Sequence, residues 1–396
     1  MKTSPALRAC VLLACAFASV ASRRLTAQPA AARSGQSQPP TRAPDAPGAP
    51  PFIRIEGRGV NPPANTTANY IVGPDYVTSP ESNVVEGVPQ GRVLQFTMQS
   101  KDSRFYNPGI SRTQLDSATG EYRDDFGTVD PQNPKTLIVK TRTVDFARTI
   151  TVYIPAQYVT GTPAPFIVTH DGPGLATRPD APRQELVRVL DNLIAQKRVP
   201  VQVAIMIQNG GGDAQGNERG LEYGTMSGKF AEFIEAEVLP LVERNFGVTL
   251  TTNPDARATM GNSSGGSAAL IMAWYHPDLY RRVITTSGTF VNQQWPYNSA
   301  TPGGAWEFHN GLIAHSSPKP IRLWMGVGDR DMLNPNVMRD DMHDWVEANH
   351  RMAKVLAEKG YRYQYVFALN VGHSMSAARG QLLPQALEWV WKDYRP

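Results

Sequence analysis

The chain has 396 residues, of which 41% are hydrophobic, so it is long enough to bury a large core in one big or two modest domains. Its formal net charge is +4, but four basic residues and no acidic residue precede Ala27: Lys2, Arg8, Arg23 and Arg24. Without them the net charge falls to about zero, which argues against nucleic-acid binding and membrane-surface binding.

The first 27 residues have the pattern of a secretory signal peptide. Two basic residues precede an apolar run from 9 to 21, which is too short to span a bilayer and ends in small residues. We therefore expect residues 1–27 to be removed and the protein to be secreted or periplasmic. Both cysteines, Cys10 and Cys15, lie in this segment, so the mature chain would lack thiols and disulfides. A lipid anchor at Cys15 is less favoured, because the apolar run continues past it.

The next segments change composition sharply. Residues 28–52 are rich in Pro, Ala, Ser and Gln, which predicts a disordered linker. Residues 53–140 are interpreted as an N-terminal extension, with one alternating strand at 93–98 and a polar surface insertion at 111–133. The region 141–396 is predicted to be the catalytic domain.

Within this last region, apolar runs typical of strands alternate with segments of helical period. The predicted strands are 149–155, 165–170, 201–207, 257–260, 282–286, 321–325 and 361–369. The predicted helices are 184–196, 227–245, 377–394 and one directly after 257–260. This alternation predicts an α/β fold, with a mostly parallel central sheet and helices on both faces. Ligands bind such sheets at the carboxyl ends of the strands.

The turn after the strand at 257–260 carries a candidate nucleophile. Gly261-Asn-Ser-Ser-Gly265 fits the pattern G-x-S-x-G between a strand and a helix. Only Ser263 has glycine two positions before and two positions after it. The alternatives are a glycine-rich helix start and a phosphate-binding turn. No lysine follows as a Walker loop requires, so the pattern favours a nucleophile.

A serine hydroxyl needs a base to accept its proton, and the base needs an acid to orient it. Of the seven histidines, His373 is favoured because it lies between the last strand and the terminal helix. The turn after 321–325 offers Asp331 and Asp329. Asp331 is favoured by its spacing from Gly328, and Asp329 is expected to be solvated. The order serine, aspartate, histidine is that of the α/β-hydrolase arrangement.

Several motifs resemble a known family. They are Arg219-Gly-Leu-Glu-Tyr-Gly-Thr-Met-Ser-Gly-Lys-Phe230, Glu237-Val-Leu-Pro240, residues 257–266, residues 273–278 and Thr286-Ser-Gly-Thr-Phe290. In these motifs the chain is similar to the putative-esterase family, which includes enterochelin esterases, S-formylglutathione hydrolase, feruloyl esterases and mycolyltransferases. The resemblance covers about residues 87–396 outside the insertion. It implies the α/β-hydrolase fold and the triad, but not the substrate.

An esterase also needs an oxyanion hole, which takes one donor from each of two loops. The first predicted donor is the backbone N–H of Ser264. In related esterases the second commonly follows the loop glycine after the strand at 165–170, and here that position is Pro173, which has no N–H. Gly172 or Gly174 would then donate instead.

Three residues are candidates for substrate contact. Glu222 and Tyr223 are expected in a loop before the long helix, where they would contact substrate or cap the helix. Trp295 lies in a later loop and would form an aromatic wall.

Together these features predict a serine esterase that hydrolyses a carboxylic ester, on aryl, siderophore or sugar esters, through an acyl-enzyme. The alternatives are an acyltransferase or amidase on the same triad, and an inactive binding protein of this fold, for which Pro173 is the motive. The expected partner is a small-molecule ester, with no cofactor, no metal and no nucleic acid.

Overall fold

A ten-stranded sheet organises the part of the chain that the computed structural model describes. That part comprises residues 39–112, 114–115, 122–123, 128–134, 136–172, 185–213, 215–333 and 341–395, which all belong to one unit, Pro39–Pro396. The predicted signal peptide, 1–27, and residues 28–38 of the predicted linker lie outside the described residues.

The strands of the sheet are β1 (Ile53–Arg54), β2 (Asn69–Val72), β3 (Arg92–Gln99), β4 (Ala147–Ile154), β5 (Phe166–His170), β6 (Val203–Ile207), β7 (Arg257–Asn262), β8 (Arg282–Thr286), β9 (Arg322–Arg330) and β10 (Arg362–Gly372). Their order across the sheet is β1-β2-β10-β9-β8-β7-β5-β6-β4-β3. All neighbours pair in parallel except β4, which is antiparallel to both β6 and β3. The predicted α/β fold with a mostly parallel sheet is confirmed.

The helices are α1 (Glu185–Ala195), α2 (Glu218–Gly224), α3 (Lys229–Phe233), α4 (Leu239–Phe246), α5 (Ser264–Tyr275), α6 (Ile313–His315), α7 (Trp345–Glu358) and α8 (Ser376–Trp391). A π-helical segment, Ile234–Val238, joins α3 to α4, where one continuous helix was predicted. Pro240 explains the irregularity, because proline lacks the N–H that would continue the regular hydrogen-bond ladder.

Apolar cores lie on both faces of the sheet. Phe166 and Val168 of β5 belong to one cluster of buried side chains, and Ile167 between them belongs to the other. Successive strand residues point to opposite faces, so a strand covered on both sides must be apolar throughout. The edge strand β3 alternates instead between exposed and half-buried residues.

The edge formed by β1 and β2 was not predicted from the sequence, where the first strand identified in the N-terminal extension was 93–98. Both strands are short, and each is too short for a periodic pattern to identify it. β2 is set in the sheet by its pairing with β10.

Four further two-stranded pairs lie outside the main sheet: Gly109–Arg112 with Thr141–Val144, Gln114–Leu115 with Tyr122–Arg123, Thr128–Val129 with Leu137–Ile138, and Pro163–Ala164 with Thr249–Leu250. None of the helices in the described ranges is long and apolar enough to cross a membrane.

Candidate active site

Ser263 lies on a tight turn between β7 and α5. Its backbone has φ 56° and ψ −128°, a region that residues other than glycine seldom adopt and that is typical of a nucleophile elbow. Its N–H donates to the Thr286 carbonyl at 2.9 Å, and its own carbonyl accepts from the Thr289 N–H at 3.1 Å. A Cβ on Gly261 would overlap the backbone of Gly265. The turn therefore needs glycine at this offset for helix and strand to approach.

His373 and Asp331 are in direct contact at the same edge of the sheet. His373 Nδ1 lies 2.6 Å from Asp331 Oδ1, and the Asp331 side chain is completely buried. Asp331 Oδ1 also accepts from the Met332 N–H at 2.7 Å, and Oδ2 accepts from the Ser287 hydroxyl at 2.6 Å. Both carboxylate oxygens thus have donors, which fixes the carboxylate beside the imidazole.

Asp329, the alternative acid, has a different environment. It lies within β9 and is only 3% exposed, and its Oδ1 accepts from the Val371 N–H at 3.0 Å. The prediction that it is solvated is wrong, because β9 continues to Arg330, beyond its predicted end at residue 325. Asp329 holds the end of β10, and the contact with His373 is made by Asp331.

Ser287 is a residue of the site that the sequence analysis did not single out. It is fully buried, directly after β8, with φ 48°. Its hydroxyl donates to Asp331 and accepts from the Ser374 N–H at 2.9 Å, while its own N–H donates to the Gly326 carbonyl at 2.7 Å. It thereby connects the ends of three neighbouring strands. A small polar residue at the carboxyl end of the strand beside β9 was the available signal.

Ser263 Oγ is paired with Thr289 rather than with the imidazole. The two hydroxyl oxygens lie 3.4 Å apart, and Thr289 Oγ1 accepts from Trp345 Nε1 at 3.2 Å. The Trp345 ring stands edge-on to His373, with centroids 6.1 Å apart. Among the described residues, Ser263 and His373 form no hydrogen bond with each other. The structure therefore brings Asp331 and His373 together, whereas the Ser263 hydroxyl faces Thr289.

The two predicted oxyanion-hole donors have different environments. The Ser264 N–H begins α5, and the first N–H groups of a helix have no acceptor within it. The Gly172 N–H, in contrast, donates to the Ile207 carbonyl at 3.1 Å. We correct the prediction for Gly172, because an amide committed to β6 is not available to an oxyanion. Pro173 and Gly174 lie outside the described residues.

Arg219 braces the loop that follows β5. Its Nε and Nη2 each lie 2.8 Å from one oxygen of Asp171, a bidentate pair. Asn209 Nδ2 adds a third donor at 2.7 Å. Burial alone would raise the pKa of Asp171, but the hydrogen bonds and charge of Arg219 lower it. The Asp171 carboxylate is therefore held in its ionised form. The backbone of Asp171 has φ 57°, in the left-handed region.

Glu222 and Tyr223 have structural roles in place of the predicted substrate contacts. They lie on α2 and not in a loop, with 2% and 0% exposure. Glu222 Oε1 accepts from Arg148 Nη2 at 2.5 Å, and the Tyr223 hydroxyl accepts from the Asp171 N–H at 3.1 Å. Trp295 is half-buried, and its contact with substrate stays a prediction.

His170 packs beneath the loop as a neutral ring. It is 3% exposed, and its ring centroid lies 5.3 Å from that of Tyr223 and 5.5 Å from that of Phe230. Burial lowers the pKa of His170 to about 4. The ring is therefore uncharged at neutral pH.

A cavity of about 450 Å³ opens beside the elbow. Asn262 and Ser374, which are next in sequence to Ser263 and His373, line this cavity. Its wall is mainly apolar, with Met260, Ile284, Trp324 and Leu382. Across the described ranges, no group of three or more His, Cys, Asp or Glu side chains is arranged to hold a metal ion.

Comparison with known proteins gives a family match. The model of the putative-esterase family matches residues 142–388, more than half of the chain. None of the curated proteins matches.

Several solved structures are similar. The enterochelin esterase from Shigella flexneri is 21% identical, with 62% of this chain and 55% of that chain covered and a TM-score of 0.44. The chain thus spans about half the length of that protein. The ferulic acid esterase from Anaeromyces mucronatus is 12% identical, with 79% and 96% covered and a TM-score of 0.48. A mutant feruloyl esterase module from Clostridium thermocellum, complexed with sinapinate, is 14% identical, with 81% and 95% covered and a TM-score of 0.47. The activities in these descriptions belong to those proteins.

The buried pair of Glu222 and Arg148 gives a stability prediction. Glu222→Ala leaves the Arg148 guanidinium buried without its carboxylate, so we expect the free energy of unfolding to fall by about 3–5 kcal/mol. Chemical denaturation measures this change. The control is Glu347→Ala, which removes an exposed i,i+4 partner of Arg351 and should cost less than about 1 kcal/mol. Unchanged stability with a raised KM would instead restore Glu222 as a substrate contact.

Proposed function

Because the chain belongs to the putative-esterase family, we propose that it is a serine esterase that hydrolyses a carboxylic ester through an acyl-enzyme. Ser263 is the nucleophile, His373 the base and Asp331 the acid. The observation that carries the proposal is the 2.6 Å contact between His373 Nδ1 and the buried Asp331. It leaves Nε2 as the free ring nitrogen, the atom that accepts a proton in such a triad.

Acylation begins when the Ser263 hydroxyl turns from Thr289 towards His373 Nε2. Such contacts are often long or absent without substrate and form in the complex. Ser263 Oγ attacks the carbonyl carbon as Nε2 takes the hydroxyl proton, and the Ser264 N–H stabilises the resulting oxyanion. The imidazolium, held by Asp331, then gives that proton to the leaving alcohol as the ester C–O bond breaks.

Deacylation repeats these steps with water. His373 Nε2 takes a proton from a water molecule, whose oxygen attacks the acyl carbon. The tetrahedral species collapses, Ser263 recovers its proton from the imidazolium, and the carboxylic acid leaves.

The substrate is proposed to be a small ester with an apolar part. The cavity beside the elbow has an apolar wall, which suits an aryl group in an aryl, siderophore or sugar ester. We also propose that the protein is exported, on the basis of the signal-peptide pattern in residues 1–27.

A second candidate function is ligand binding without turnover. It is favoured by the loop after β5, where the Gly172 N–H is already bonded to Ile207 and Pro173 has no N–H to donate. A site with one oxyanion donor is expected to be slower by about a hundredfold or more. Acyl transfer on the same triad is distinguished from hydrolysis by product analysis with competing alcohols.

A fluorophosphonate probe tests the nucleophile. We expect the wild-type protein to be labelled covalently, because Ser263 is activated by His373 and Asp331. Ser263→Ala should abolish labelling, measured by intact-mass spectrometry. Ser264→Ala is the matched control and should retain it, since the predicted role of Ser264 depends on its backbone N–H. Labelling that persists in Ser263→Ala contradicts the assignment, and a wild-type protein that resists the probe and a panel of aryl esters favours binding without turnover.

Substitution of Ser287 tests whether its hydrogen bond to Asp331 contributes to catalysis. Ser287→Ala removes a hydrogen bond to a charged carboxylate, worth about 1.5–3 kcal/mol, so we expect kcat/KM to fall by about 10- to 100-fold. The fall should lie in kcat, with KM little changed. Ser287→Thr, which keeps the hydroxyl, should recover part of the rate. An unchanged kcat in a folded Ser287→Ala protein would show that Met332 N–H and His373 suffice to hold Asp331.

A further inference from the structure

Three neighbouring strands begin with arginine. Arg282, Arg322 and Arg362 open β8, β9 and β10, and the register pairs Arg282 with Arg322 and Arg322 with Arg362. Paired residues in adjacent parallel strands share one face and lie about 4.8 Å apart. Like charges side by side in a sheet are destabilising. We call these three residues the arginine row, and they lie at the edge opposite the candidate active site. Because their like charges repel, we expect groups nearby to stabilise them.

Helix capping accounts for part of the row. Arg322 Nε donates to the Trp389 carbonyl at 2.8 Å, and Arg282 Nη1 donates to the Val390 carbonyl, both in the last turn of α8. The guanidinium of Arg322 also lies 4.2 Å from the Trp389 ring centroid. These contacts hold the guanidinium groups of Arg282 and Arg322 in place, and the two residues are only 8% and 9% exposed. The Nη2 groups of Arg282 and Arg322 have no hydrogen bond to any residue that the structure describes, so capping leaves donors free.

The charge around the row is unbalanced. A cavity of about 570 Å³ is lined by seven cationic residues, Arg281, Arg282, Lys319, Arg322, Arg362, Lys392 and Arg395, and by two carboxylates, Asp255 and Asp393. One oxygen of Asp393 is shared, at 3.4 Å from Arg322 and 3.3 Å from Arg362. Asp255 pairs with Arg281 at 3.0 Å. The lining therefore keeps an excess of about five positive charges.

The repulsion within the row acts on its central member. Burial, followed by the charges of Arg362 and Arg282, lowers the pKa of Arg322 to about 10. Burial also lowers the pKa of Arg282. Arginine side chains stay protonated at neutral pH in proteins, so the repulsion is not removed by loss of a proton, and a bound anion would relieve it.

We propose that the cavity at the arginine row binds a soluble small molecule that carries two or more linked phosphate groups. The free Nη2 groups of Arg282 and Arg322 can donate charge-assisted hydrogen bonds to phosphate oxygens, and arginine is favoured over lysine where such oxygens are recognised. A row with a repeat of about 4.8 Å offers donors to more than one anionic group. Tyr361 and Tyr394 also line the cavity, and its volume is that of a small-molecule site. This binding is independent of ester hydrolysis at the other edge.

Isothermal titration calorimetry of the full chain with pyrophosphate tests the proposal. At fixed ionic strength we expect one pyrophosphate per chain, bound at least about tenfold more tightly than orthophosphate, because the second phosphate reaches further donors of the row. Arg362→Gln should weaken pyrophosphate binding about tenfold. The Arg362 side chain is 67% exposed, so this variant should fold, which thermal unfolding and fluorophosphonate labelling equal to wild type would verify.

The matched control is Arg351→Gln, an exposed arginine of α7 outside the cavity, which should bind pyrophosphate as the wild type does. Equal affinity for pyrophosphate in Arg362→Gln and wild type, or no binding by wild type, overturns the proposal. Sedimentation with vesicles containing phosphatidic acid separates the two sources of phosphate. Binding to the vesicles without binding to pyrophosphate would also overturn it, in favour of a membrane surface. A wild-type protein that binds pyrophosphate but is not labelled by the fluorophosphonate would count against the proposed esterase and not against the phosphate site.

Discussion

The hydrogen-bonded register of β8, β9 and β10 is the constraint on which the rest of the molecule depends. The backbone pairing of these parallel strands places Ser287, Asp331 and His373 at one edge and the arginine row at the other, and the register of β9 with β10 shifts between Gly328 and Arg330, just before Asp331. A slip by one residue would turn every side chain of a strand to the opposite face. The two regions are thus coupled by geometry although they share no side chain.

At the active-site edge, charge and stability depend on the same residues. A buried carboxylate is tolerated only when its oxygens are satisfied, and Asp331 meets this condition through Ser287, Met332 and His373. The loop after β5 repeats the principle, since Asp171 is compensated by Arg219. Groups of this kind cannot be exchanged singly. We expect the removal of one donor to change the position of the carboxylate as well as the free energy of unfolding.

Much of this arrangement could be predicted from the sequence, because it depends on local rules. The glycine offsets around Ser263 and the placement of His373 directly after an apolar strand depend only on nearby residues. The environment of Asp329 could not be predicted, since its burial depends on how far β9 extends. Glu222 was placed in a loop because α2, with seven residues, is too short to show a period. The arginine row depends on strand register, which no single segment contains.

The position of β2 has a consequence for how the chain reaches this structure. Its residues, 69–72, pair with 365–368 of β10, so nearly three hundred residues must be made before the strand finds its neighbour. Pairings between such distant segments form slowly, because the intervening loop must close first. β2 is synthesised early, whereas its partner β10 is synthesised only when the chain is nearly complete. Completion of this edge of the sheet is therefore a late event in biosynthesis, and a chain that stops before β10 would leave β2 with an unpaired edge, the kind of surface that promotes aggregation.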